Sequence, residues 1–166
     1  MPRCEREGMN NDDLDTIRTI LKSSNVATVT TRSGDALHSR PLAIVSEDDF
    51  DGTLWFFTQH PSPKTNDIAE HPEVNVAVSD NKGHLSLSGT ASVDRDPARI
   101  DRYWNPWAEA WFDGRDDPTI ALLRVDVDTA EYWSIDKPAV ARVFEVVKGL
   151  ITKQQPDVGE NKTVSL

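Results

Sequence analysis

Cysteine is almost missing from this chain. Cys4 is the only one, so no disulfide can form within the chain. A chain of this length can bury a core without such a staple. Disulfide-free chains fit a reducing compartment, and the expected location is the cytoplasm. Long apolar runs are missing too. No stretch approaches the roughly 20 residues that span a bilayer. Met1 to Gly8 lacks the apolar core of a secretory signal, and Met9 is an alternative start. Basic residues are scarce: Lys and Arg number 18 against 28 Asp and Glu, for a formal net charge of −10. Such a chain is repelled by nucleic acid and by anionic membranes, so neither is an expected partner. The eight glycines are scattered and form no phosphate-cradling loop. There is no serine-centred nucleophile elbow. His38, His60, His71 and His84 have no metal-ligand spacing, so no metal is expected, and no catalytic residue can be named.

What remains is a chain of 166 residues, a length that favours one domain. Asn11-Asp12-Asp13 supplies cap-type residues, and Leu14, Ile17, Ile20 and Leu21 then recur at helical spacing. A helix is predicted over about residues 12–23. Val- and Thr-rich residues 25–32, the Ser33-Gly34-Asp35 turn and residues 36–45 read as a hairpin. Thr53 to Thr58 is a short strand, apolar enough to be buried on both faces. A short helix over 65–70 follows, then strands over 73–79 and 84–95. Leu85, Leu87, Gly89, Ala91 and Val93 share one face of the latter. Pro97 suits the first turn of another helix. Residues 103–112 hold three of the five tryptophans. Residues 120–126 and 130–135 read as two further strands, and 138–151 as a helix. The expected organisation is a flexible extension over 1–10, one domain over 11–152 and a disordered tail over 153–166. Helices between strands are missing before residue 64, which argues against a parallel sheet. The fold class is mainly β (α+β): a six- to seven-stranded antiparallel split barrel with flanking helices.

Two stretches carry chemistry. His38-Ser39-Arg40-Pro41-Leu42 puts a guanidinium beside a proline, whose missing amide hydrogen suits a bulge or edge. Leu54 to Lys64 runs from an aromatic strand into a turn bearing Thr58, Ser62 and Lys64. A phosphate monoester needs donors and positive charge, and these groups supply both. A helix starting near Lys64 adds free amides. Arg40 reaches the same barrel end if its strand neighbours 53–58. Pro41-Leu42 and Phe56-Phe57 offer an apolar slot for a flat ring. A phosphate on such a ring is the shape of flavin mononucleotide.

These stretches resemble those of the pyridoxamine 5′-phosphate oxidase-like flavin-binding split barrels, and most nearly the bacterial general stress protein group. The resemblance is carried by Ser39-Arg40-Pro41-Leu42, Trp55-Phe56-Phe57-Thr58, Lys64, and Leu87-Ser88-Gly89-Thr90-Ala91. Trp111-Phe112 with Asp116-Asp117-Pro118, and Glu131-Tyr132-Trp133, extend it, so that it covers roughly residues 12–136. It implies a homodimer with two flavin sites at the subunit interface. Arg40, Pro41 and Leu42 would line the flavin, and Phe57 and Thr58 would touch ring or phosphate. Ser62 and Lys64 would hold the phosphate. Trp111 and Trp133 are candidates for a contribution from the neighbouring subunit. The cofactor expected is FMN, with FAD as the alternative. One departure stands out: the C-terminal Arg-Leu-His type substrate motif of true pyridoxamine 5′-phosphate oxidases is absent.

The function expected is therefore that of a flavin-binding protein, an oxidoreductase with a stress-related role, acting on an unidentified small-molecule redox substrate. The alternatives are a flavin carrier or sensor without turnover, and a split barrel that holds a deazaflavin or haem instead.

Overall fold

The computed structural model describes residues 7–45, 49–134 and 160–166. Helix α1 (Asn11–Ser23) is preceded by the short strand β1 (Glu7–Gly8). A capping box starts α1: the Asn10 side chain accepts from the Asp13 amide, and the Asp13 carboxylate accepts from the Asn10 amide. Strands β2 (Val26–Ser33) and β3 (Ala36–Ala43) form the predicted hairpin, with Gly34 at positive φ in its turn. Then come β4 (Thr53–Gln59), α2 (Pro63–Glu70), β5 (Glu73–Ser79) and β6 (Gly83–Asp94). Helices α3 (Pro97–Tyr103) and α4 (Pro106–Trp111) lead into β7 (Ile120–Ser134), and β8 (Glu160–Ser165) follows.

The sheet runs β1-β8-β7-β6-β5-β2-β3, and β4 lies on β7. A bridge between Ile44 and Phe56, with the Val45 amide donating to the Trp55 carbonyl at 3.0 Å, brings the β3 end against β4. Six strands thus surround one core as a split, antiparallel barrel, as the strand spacing implies. Inward residues such as Val29, Val76, Leu87, Leu123 and Val125 are fully buried, and α1 adds Ile17 and Ile20. β4 is buried on both faces. Leu54 and Phe56 enter the barrel core, while Trp55 and Phe57 join a second cluster with Ile100, Tyr103 and Leu122. That cluster fixes α3 and α4 against the outer face of β4 and β7.

Three expectations change. Residues 120–126 and 130–134 are parts of one strand, β7, and Ile135 lies outside the described residues. Asp128 is its bulge: Ser88 faces Thr129 while Gly89 faces Val127, so one residue is absorbed without a turn. Gly89 is required there, since a Cβ would stand 2.0 Å from the Asp126 carbonyl oxygen. Second, the tail expected to be disordered ends in β8, which pairs with β7 from Thr129 to Ser134. The part of that tail over 153–159 lies outside the described residues, as does the helix expected over 138–151. Third, the expected N-terminal extension is ordered where it is described. Glu7 and Gly8 pair with Val164 and Ser165, and Asn10 caps α1. Its first six residues lie outside the described ones. Polar β8 is held by its neighbours rather than by periodicity. Buried Asp13 accepts from the Tyr132 hydroxyl at 2.8 Å and from Lys162 Nζ at 3.2 Å, which ties β8 to α1.

Candidate functional site

A cleft of about 420 Å³ opens between β3, the end of β4 and α4. Pro41, Leu42, Phe57, Thr58 and Trp111 line it, five of the residues expected from sequence. Val26, Ala43, Gln59, Trp107 and Phe112 complete it. Each wall has a local cause. Pro41 sits on the side of β3 away from β2, where no ladder hydrogen bond is lost. Phe57 is held edge-on by Trp104 and tilted against Phe112, each with ring centres 6.0 Å apart. Asn105 caps α4 by accepting from the Trp107 and Ala108 amides. Trp107 and Trp111 then lie one turn apart on one face, with ring centres 5.3 Å apart. The aromatic-rich 103–112 stretch flagged Trp111 but not Trp107. Their spacing of four was the signal that pairs them.

Arg40, Ser62 and Lys64 flank this cleft rather than line it. Arg40 directly precedes the Pro41–Ala43 wall. It lies opposite Val29, so its side chain points to the barrel interior, where a guanidinium N–H reaches Thr31 Oγ1 at 3.1 Å. α2 starts two residues earlier than the periodicity implied, because Pro63 takes its first position. Lys64 is therefore in the first turn of α2. It is half-buried. Burial first, then the neighbouring Arg40 guanidinium, lower its ammonium from the ordinary lysine range to about 8. Among the described residues no carboxylate pairs with either cation. Two neighbouring cations with no carboxylate partner among the described residues favour an anion beside them. Ser62 has another duty: its Oγ accepts from the Thr65 amide as the cap of α2, and its own amide donates to Thr65 Oγ1 at 2.9 Å. Trp133 stands apart. It lies opposite His84 and Asn161, roughly 40 Å of strand from the Thr58 partner Ala121. It is 37 % exposed and lines no part of its own cleft.

The site is thus an apolar, aromatic-lined cleft on a split barrel, with two neighbouring cations, Arg40 and Lys64, outside its lining. The family described as Pyridoxamine 5′-phosphate oxidase like matches residues 12–157, and the chain belongs to it. Protein bli-3 of Neurospora crassa is 30% identical over 165 residues, covering 93% of this chain and 78% of that protein. A putative general stress protein 26 from Jannaschia sp. CCS1 has a similar structure, with a TM-score of 0.76 at 25% identity; the match covers 95% of this chain and 100% of that one. The general stress FMN/FAD binding protein from Xanthomonas citri matches with a TM-score of 0.70 at 31% identity, over 78% of this chain and 93% of that one.

Proposed function

We propose that this chain binds FMN, with FAD as the less favoured form, and serves as a flavin-dependent oxidoreductase in a general stress response. The observation that carries the reading is the Arg40–Lys64 couple, which has no carboxylate partner among the described residues and neighbours an aromatic cleft. The phosphate is held between these two cations, and the α2 terminus beside Lys64 adds to the positive field. The ring lies between the Pro41–Leu42 wall and Phe57, under the Trp107–Trp111 pair. A bound flavin supplies two-electron and one-electron transfer; the protein contributes binding, orientation and exclusion of water. Likeness to the Xanthomonas citri protein supports the choice of cofactor.

The working unit is a homodimer. Val26, Leu37, Trp107 and Trp111 are 48 to 71 % exposed, an apolar surface that a second copy covers. Trp133 then reaches the cleft of the other copy. A cytoplasmic location accords with this reading. Among the described residues no helix is long and apolar enough to cross a membrane.

A second reading, a carrier or sensor without turnover, is favoured by one feature. Among the described lining residues of the cleft none is a titratable acid or base. The same lining offers a haem no axial His, Cys, Met or Tyr. The deciding experiment is a visible spectrum of the purified protein, followed by titration with FMN. A yellow protein, or one that takes up FMN stoichiometrically, is expected. A colourless protein that ignores added flavin removes both readings. Rapid turnover with a nicotinamide donor and an acceptor removes the carrier alone.

A further inference from the structure

His60 directly follows β4, and its ring reaches the start of α2. Nδ1 stands 3.1 Å from the hydroxyl oxygen of buried Thr65. That hydroxyl is crowded. It donates to the Ser62 carbonyl at 3.0 Å and accepts from the Ser62 amide at 2.9 Å. A hydroxyl has one proton and two lone pairs, so one accepting place is left. Two groups compete for it, the His60 ring at 3.1 Å and the Ser62 hydroxyl at 3.3 Å. Ser62 Oγ meanwhile accepts from the Thr65 amide at 3.3 Å as the cap of α2. That bond uses a lone pair of Ser62 and leaves its proton over. The proton is free of Thr65 whenever His60 fills the last place there.

We propose that His60 is a positioning residue of the phosphate site: its Nδ1–H donates to Thr65 and so releases the Ser62 hydroxyl proton to the phosphate held by Arg40 and Lys64. The inference rests on the flavin reading for the identity of the ligand. Ser62 and Lys64 share the start of α2, and Lys64 neighbours Arg40. Ser62 is only half-buried, so a ligand has access to it. A phosphate oxygen is a stronger acceptor than the neutral Thr65 hydroxyl, which favours transfer of the Ser62 bond to the ligand. The capping and phosphate-binding duties of Ser62 are then compatible, because one uses its lone pair and the other its proton.

The first measurement is the ring tautomer of His60, read by nitrogen NMR of histidine-labelled protein and assigned by the signal lost in His60→Asn. The proton should sit on Nδ1. A ring protonated on Nε2 alone overturns the proposal. The second measurement is titration of FMN, riboflavin and inorganic phosphate. His60→Phe should weaken FMN about fivefold and leave riboflavin unchanged. His60→Asn, whose amide N–H replaces that of Nδ1, should restore most of the loss. His60→Gln, whose amide replaces Nε2 instead, should behave as the phenylalanine variant does and serves in its place if that variant misfolds. Ser62→Gly removes the hydroxyl but keeps a tolerated cap residue. In that background His60→Phe should change FMN affinity no further. Additive losses in the double variant overturn the proposal, and so does an equal loss for FMN and riboflavin. A wild type that ignores FMN overturns the flavin reading alone, and the same comparisons with inorganic phosphate then decide the role of His60.

Discussion

Lys64 and Arg40 carry like charges as neighbours, and among the described residues no acid pairs with either. In the folded chain Lys64 loses its proton near pH 8 rather than in the ordinary lysine range. The folded state therefore binds fewer protons than the unfolded chain between those values. Stability rises with pH across that window, and this contribution is lost as pH falls through about 8. A bound phosphate reverses the balance by favouring the charged amine. FMN affinity should be greatest between about pH 6, where the phosphate gains its second charge, and about pH 8, where free Lys64 begins to lose its own. Riboflavin, which lacks the phosphate, should show no such profile; calorimetric titration of both across pH checks this. Gly89 is a second decisive position. Gly89→Ala pushes a methyl into the Asp126 and Val127 backbone and should destabilise the protein by about 3 kcal/mol in urea unfolding. Much of the site could be read from residue type and order. Pro41, Leu42, Phe57 and Thr58 line one cleft, and Arg40 and Lys64 neighbour each other outside its lining. Ser62 was harder to place, because a serine before Pro-Lys-Thr serves equally as a phosphate donor and as a helix cap. Only the backbone geometry shows that it caps.

At the level of elements, apolar alternation made most strands legible. β5 falls on its predicted residues, and β4 is buried on both faces as its continuous apolar run implied. Alternation fails where a bulge shifts its phase, which is why Val127-Asp128-Thr129 looked like a break in β7. It fails again at β8, whose sequence Glu-Asn-Lys-Thr-Val-Ser has one buried apolar residue, Val164. That strand is held through its ladder and through Asp13. Burial pushes the Asp13 carboxyl up, but the Asn10 amide, the Tyr132 hydroxyl and Lys162 together hold it below the usual carboxylate range. The stability this tie contributes is complete above that range and lost as pH drops through the lowered value. Tyr132→Phe removes one partner from a buried charge and should cost about 2 kcal/mol, read as a lower urea midpoint. Hydrogen exchange gives an independent check, with the Val164 amide expected to be protected in the wild type and less so in the variant.

For the whole molecule, one barrel end holds a cleft whose rim is apolar and exposed, while Trp133 projects from the far end of β7. The proposed two-fold pairing would cover the rim and carry a distant aromatic to it. Light scattering should give twice the chain mass, and Trp133→Ala should weaken flavin binding although the residue lies outside its own subunit's cleft. The proposed assembly is not legible in composition or periodicity; it is an expectation that comes with the family resemblance. All of this depends on Arg40 and Lys64 converging on one phosphate. The most direct measurement is the affinity of FMN and of riboflavin for the wild type and for Lys64→Ala. FMN binding should weaken by roughly 1.5–3 kcal/mol in the variant while riboflavin binding holds. An equal loss for both ligands, or none for either, would contradict the assignment.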